Sequence, residues 1–244
     1  MESEIIIGCC GIRFFNANKI LGRDWKKRFA SRLDAYASLF SSLEEDSTFY
    51  SIPGKRAEEN WKKVHDSKGL EFIIKAPKEI THTYSFRKGS EKYLKKIERF
   101  CSAIGSDKIL FQTPPSFEPS EENLENAERI LSSCRSDGFF PIFEPRGRWL
   151  ARIEVAEKFC KNLAILCTDP LRNLHSLRQE FNYFRLHGFG KKMVYSYNFS
   201  EAELRRVLKI LEKYGKSYAM FNNTYMYENA LELKKIMHKH QTKK

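Results

Sequence analysis

The feature that most constrains this chain is an alternation of two hydrophobic periods. Eight apolar runs of four or five residues occur at 5–9, 39–43, 71–74, 108–111, 139–143, 163–167, 182–186 and 217–221. Short apolar runs bounded by polar turns suit strands buried on both faces, as in a parallel sheet. The run at 39–43 also suits the end of a preceding helix. Between the runs, apolar residues recur at helical spacing. Ser90 is placed to cap a helix with Tyr93, Leu94, Ile97, Phe100, Cys101 and Ile104 on one face, closed by Gly105. Ser120 starts another, with Leu124, Ala127, Ile130 and Leu131 inward. Ser200 and Glu203 form a capping-box pair ahead of Leu204, Val207, Leu208 and Leu211, with Gly215 as the stop. Segments 24–40, 56–64, 149–160 and 229–238 fill four more helical slots, and 171–181 fills the sixth with weak periodicity.

Eight strands alternating with helices predict a single (β/α)8 TIM barrel, and the 244 residues match the usual ~250 of that fold. An open doubly wound sheet shares the alternation. The domain is expected to span 1–240, with 241–244 as a basic C-terminal tail. Helix-to-strand connections are short (105–107, 135–138, 215–217), whereas strand-to-helix connections are long (46–56, 76–90, 113–120, 188–199). In a parallel α/β fold the long loops share one face, beyond the carboxyl ends of the strands, where such folds place ligands.

Composition narrows the class. Apolar residues make up 41% and aromatics 14%, which excludes disorder for the bulk of the chain. No apolar run reaches the ~18 residues of a membrane span. Glu2 and Glu4 stand where a signal peptide would be basic. Cys9, Cys10, Cys101, Cys134, Cys160 and Cys167 show no CxxC spacing and sit mostly in apolar stretches, so buried thiols in a reducing, cytoplasmic setting are expected. The net charge is +12, from 43 Lys and Arg against 31 Asp and Glu. It suits either solvated helix faces or an anionic partner.

Polar residues at the ends of the apolar runs are the candidates for chemistry. Glu44 and Asp46 follow the second run, Lys75 the third, Gln112 the fourth, Glu144 and Arg146 the fifth, and Asp169 the sixth. Arg185 and His187 end the seventh on one face, Asn222 and Asn223 end the eighth, and His82 lies in the loop after the third. In a barrel these converge on one mouth, where charge must be paired, solvated or bound to a ligand. Structural roles compete with functional ones. Glu144 and Arg146 suit a salt bridge closing the barrel top, Asp169 before Pro170 suits a turn, and Asn222 and Asn223 suit loop anchoring. The chain holds no P-loop, dinucleotide fingerprint or HExxH pattern, and its strand-end Ser and Cys residues have no obvious His–Asp partners for a nucleophilic triad. A hard divalent cation on Glu44, Glu144, Asp169 and His187 is chemically open, though the spacing does not require it.

The same strand ends carry a family resemblance. The stretches IGCCG (7–11), LEEDSTFYSIP (43–53), FIIKAPKEITH (72–82), ILFQTPPSF (109–117), FEPRGRW (143–149), TDP (168–170), YFRLHG (183–188) and FNN with NA (221–223, 229–230) resemble the YecE-like family, also called domain of unknown function 72. They run in order over nearly the whole chain. The resemblance implies a TIM barrel and brings no established reaction. Ile12 stands where the family pattern has an aromatic, usually Trp, Asp46 where it has Asn, and Pro145 where it has an aromatic. The stretch up to Trp149 is one residue short of that pattern. These departures alter the pocket wall and leave the charged set in place.

Four functions compete. The first is an enzyme for an anionic, phosphate-bearing substrate, such as a phosphoester hydrolase, with or without a divalent metal. Lys75, Arg146 and Arg185 would hold the anion, Gln112, His82, Asn222 and Asn223 would line its site, Glu144 or Asp169 would act as base, and His187 would donate a proton. The second is a nucleic-acid binder or processor, with Tyr50, Tyr84, Tyr195 and Tyr197 stacking on bases. The third is a glycoside hydrolase using Glu44 and Glu144. The fourth is a non-catalytic metabolite-binding barrel.

Overall fold

The structure, a computed structural model, describes residues 3–189 and 195–241. Residues 242–244 of the expected basic tail lie outside these. Strands β1 (Glu4–Cys10), β2 (Ser42–Glu45), β3 (Glu71–Lys75), β4 (Lys108–Gln112), β5 (Phe140–Glu144), β6 (Ile165–Thr168), β7 (Asn182–Leu186) and β8 (Lys216–Phe221) pair in parallel in sequence order. β1 also pairs with β8, from Glu4 opposite Lys216 to Cys9 opposite Phe221, so the sheet closes into a barrel and the open-sheet alternative falls.

Strand alternation sorts the side chains into two cores. Ile6, Cys10, Ile73, Leu110, Ile142, Ile165, Cys167, Tyr183, Tyr218 and Met220 fill the inside of the barrel. Ile7, Leu43, Phe72, Ile74, Phe111, Phe143 and Phe184 point outward and pack under the helices. The interior is packed and is not a channel. Gly8 faces inward where room runs out, because a Cβ there would lie 2.4 Å from the Ser42 carbonyl oxygen and 2.8 Å from the Met220 methyl. At the amino end of the strands, Lys108 Nζ lies 3.2 Å from Glu71 and the Tyr218 hydroxyl donates to Glu71 at 2.6 Å. These contacts close the amino end of the barrel interior.

Among the described residues the helices are α1 (Ala17–Leu21), α2 (Trp25–Arg28), α3 (Arg32–Ala37), α4 (Lys55–Lys68), α5 (Glu91–Ile104), α6 (Glu121–Ser136), α7 (Ile153–Cys160), α8 (Glu201–Leu211) and α9 (Met226–Gln241). The capping box at α8 forms, with Ser200 N–H donating to Glu203 at 2.8 Å and Glu203 N–H to Ser200 Oγ at 3.3 Å. Ser90 departs from expectation: its hydroxyl makes no cap bond to α5, and Glu91 accepts from Gly89 N–H instead. α8 ends at Leu211, four residues before the expected Gly215 stop.

Three segments differ from the sequence reading. The apolar run at 39–43 is divided, because the N–H groups of Leu39 and Phe40 donate to the Tyr36 carbonyl and close α3. β2 begins at Ser42, whose carbonyl receives the Tyr36 hydroxyl at 2.7 Å, and continues through polar Glu44 and Glu45. Segment 24–40 is two helices, because Ser31 caps a new start at the Asp34 N–H. Segment 171–181 forms no helix. Asp169 sets a turn there, its side chain accepting from Leu171 N–H and its carbonyl from Arg172 and Asn173. The loop then buries His175 against Phe184 and Tyr214, which covers β7 without a helix.

Candidate active site at the carboxyl end of the barrel

Arg185 is the centre of the mouth. It follows Tyr183 by two residues on β7, so both side chains enter the barrel. Its guanidinium is fully buried. Nη1 donates to Glu144 at 2.6 Å and Gln112 at 3.2 Å, while Nη2 donates to Glu44 at 2.6 Å and lies 3.4 Å from Asp46. The second oxygen of Glu44 accepts from the Tyr183 hydroxyl at 2.6 Å. The planar fork of arginine suits this bridging of two carboxylates.

Two other cations attach to the same acids. Lys75 Nζ lies 3.2 Å from Asp46 and 4.8 Å from the Phe49 ring centroid. Arg146 Nη2 lies 2.6 Å from the other oxygen of Glu144. Lys75, Arg146 and Arg185 therefore form one cluster through shared Asp46 and Glu144. Their side chains differ in exposure, at 12%, 10% and 1%, so Lys75 and Arg146 keep some access to solvent and Arg185 has almost none.

Burial and charge split the two glutamates. For Glu144, burial raises the pKa, but the adjacent Arg146 and Arg185 outweigh it and hold the carboxyl down at about 2. For Glu44, burial prevails over Arg185, and with Asp46 adding to it the carboxyl is pushed up to about 6.

His187 is set between opposite charges. Its Nε2 faces Arg146 Nη2 at 3.4 Å and Asn222 Nδ2 at 3.3 Å. Both neighbours are donors, so Nε2 is the accepting nitrogen and the proton sits on Nδ1. Nδ1 is 3.5 Å from Asp169 Oδ2, which also accepts from the His187 N–H at 3.2 Å. Burial lowers the His187 pKa against the opposing effect of Asp169, so the ring is neutral near pH 7.

Glu44, Lys75, Gln112, Glu144, Arg146, Asp169, Arg185, His187 and Asn222 thus connect into one network. Asn223 does not, because its amide donates to the Tyr197 carbonyl and Asn229, tying down the last loop. His82 lies to one side, its ring edge-on to Phe49 at 4.9 Å and Nδ1 2.8 Å from Thr81 Oγ1. Sequence reading did not select Tyr183, hidden as an apolar strand residue, or Phe49. It placed Asp46 among the strand-end candidates but gave it no role, although Asp46 joins Lys75 to Arg185. Among the described residues no three His, Cys, Asp or Glu side chains gather as a metal site. The donors also do not fit a cation, since Glu44 and Glu144 each turn an oxygen to Arg185.

A closed eight-stranded parallel barrel with a charged cluster at its carboxyl end defines the TIM-barrel class. Within it, the chain belongs to the family described as protein of unknown function DUF72, whose model matches residues 6–244. A DUF72 family protein from Thermotoga maritima is 22% identical, with TM-score 0.73 over 96% of this chain and 99% of its own. One from Enterococcus faecalis is 19% identical, with TM-score 0.71 over 97% and 98%. A family 2 AP endonuclease from Brucella melitensis is 10% identical, with TM-score 0.53 over 92% and 94%. These likenesses show the fold. No curated protein matches the sequence.

Proposed function

We propose that the mouth is the active site of an enzyme that cleaves a phosphate ester. The observation that carries this reading is the line Asp169–His187–Arg146, a neutral buried imidazole held between a carboxylate and a guanidinium. Lys75 and Arg146 seat the anion, exchanging carboxylate contacts for phosphoryl oxygens. Asp169 fixes the tautomer of His187, and Nε2 is free to accept a proton once Arg146 and Asn222 turn from it to the phosphoryl oxygens. A water oxygen then attacks phosphorus, the ester P–O bond breaks, the water proton passes to Nε2, and the leaving oxygen takes its proton from solvent.

Three roles expected from the sequence change in this reading. Arg185 becomes a positioning residue, since Glu44 and Glu144 already occupy its fork. His187 becomes the base in place of the proton donor, because its lowered pKa keeps it neutral. Glu144, held at about 2, is too weakly basic for that task. A glycoside hydrolase is disfavoured, because a guanidinium fills the space between Glu44 and Glu144 where a sugar would enter. The fold shared with an AP endonuclease keeps phosphodiesters within the substrate class. Six free, buried cysteines favour a reducing compartment such as the cytoplasm.

The test is hydrolysis of p-nitrophenyl phosphate and bis(p-nitrophenyl) phosphate by the wild type and His187→Asn. General-base loss should lower turnover by about 100-fold or more. Absence of wild-type turnover would give the mouth to the non-catalytic metabolite-binding reading, and an unchanged rate in the variant would remove His187 as the base.

A further inference from the structure

One half of the barrel rim exposes aromatic rings. Phe14 follows β1, Tyr50 follows β2, Tyr195 lies between β7 and α8, and Tyr225 follows β8. They are 76%, 74%, 51% and 39% exposed. In the closed order β7, β8, β1 and β2 are neighbours, so the four loops are consecutive. Among the described residues, the loops after β3, β4 and β5 expose no large hydrophobic side chain, and the loop after β6 exposes Leu174 alone. Single exposed apolar residues are ordinary on a protein surface. A one-sided run of four rings at a ligand-binding face is not scattered in that way.

Two of the rings abut the charged mouth. Tyr195 stands edge-on to His187 at 5.9 Å. Tyr50 packs edge-on to Phe49 at 5.1 Å, and Phe49 lies under Lys75. The same half-rim is basic. Residues 11–31 carry Arg13, Lys19, Arg23, Lys26, Lys27 and Arg28 against Asp24, with Lys19 paired to Glu228 at 2.5 Å and Lys27 to Asp24 at 3.2 Å. Arg13, beside Phe14, and Lys55 and Arg56, after Tyr50, are exposed.

We infer that this half-rim binds single-stranded nucleic acid, with bases stacked on Phe14, Tyr50, Tyr195 and Tyr225 and the backbone drawn by the flanking cations. The inference rests on the phosphate-ester reading of the mouth and names a polynucleotide as its substrate class. Unpaired bases offer the faces that exposed rings stack on, whereas a duplex hides them. A neutral glycan would use the rings but not the exposed charges of Arg13, Lys55 and Arg56. Phosphates use both the charge and its direction into the mouth.

The experiment is fluorescence anisotropy with the full chain and fluorescein-labelled 12-nucleotide oligothymidylate and oligouridylate, repeated over a salt series. Wild-type affinity should fall steeply with salt, and the arm that binds more tightly identifies DNA or RNA. The double variant Phe14→Ala/Tyr50→Ala, with its fold checked by circular dichroism, should bind about tenfold or more weakly, since each stacked base is worth ~1–3 kcal/mol. Tyr50→Trp, which keeps a ring, should bind like the wild type. Equal affinity in the double variant, or no binding by the wild type, overturns the inference. Wild-type hydrolysis of the small nitrophenyl esters reports the mouth separately. Ester hydrolysis without oligonucleotide binding removes the rim inference alone. Ring-dependent binding without ester hydrolysis removes the catalytic reading and leaves the rim standing.

Discussion

Replacing Arg185 with methionine keeps the volume of the side chain and removes its charge. In the native mouth that charge lies 2.6 Å from Glu44 and 2.6 Å from Glu144, all three nearly or fully buried. Taking away one partner of a buried pair leaves an uncompensated charge and costs about 3–5 kcal/mol. For a chain of this length the melting temperature should drop by roughly 6–20 °C at pH 7, at ~2–4 °C per kcal/mol. The loss has a pH signature. Without the guanidinium both carboxyls titrate higher, so acidification neutralises them and the gap to wild type narrows between pH 7 and pH 5. In the wild type the depressed Glu144, at about 2 against an ordinary 4.5, contributes stability above pH 4.5 that disappears as the pH falls toward 2. Calorimetric melts of wild type, Arg185→Met and Arg185→Met/Glu144→Gln at pH 7 and pH 5 check this. The double variant should regain part of the loss. An Arg185→Met protein that melts within about 2 °C of wild type at both pH values would refute the bridging role, given the ~3–5 kcal/mol expected.

Other consequences are equally direct. Nitrogen-15 chemical shifts of His187 at pH 7 should show a neutral ring protonated at Nδ1, and Asp169→Asn should lower its pKa further; an imidazolium at that pH removes it as the base. His175 is buried and its pKa is driven down by burial from 6.5 to about 4, so wild-type stability should decline by up to ~3 kcal/mol as pH falls through that window. His175→Leu should flatten that part of a denaturant-derived stability profile, and an unchanged slope would assign the decline elsewhere. Gly8→Ala places a Cβ against Ser42 and Met220, and should cost about 1–3 kcal/mol in chemical denaturation. A neutral result would mean that β1 and β2 part more readily than their pairing indicates.

The barrel was legible because burial on both strand faces writes itself as short apolar runs. β7 at Asn182–Leu186 coincides with its run. β2 was displaced because half of it is Glu44 and Glu45, which the closed mouth tolerates only through Arg185 and local hydrogen bonds. The missing helix at 171–181 was foreshadowed by weak periodicity, but the burial of His175 depends on Tyr214, far along the chain. In the site, strand-end position identified the members of the cluster. It left their protonation and partners open, since those depend on contacts such as Glu44–Arg185, 141 residues apart. Asn223 shows the opposite case, a strand-end polar residue whose amide anchors the Tyr197 carbonyl and Asn229 and takes no part in the cluster.

The most direct measurement is a calorimetric titration of inorganic phosphate into the wild type, Lys75→Ala and Arg146→Ala at low salt. The wild type should bind one phosphate per chain, and each variant should bind about tenfold more weakly, as expected for losing ~1.5 kcal/mol of a charge-assisted contact. Equal phosphate affinity in all three proteins, or no heat with the wild type, would contradict an anion site at the barrel mouth.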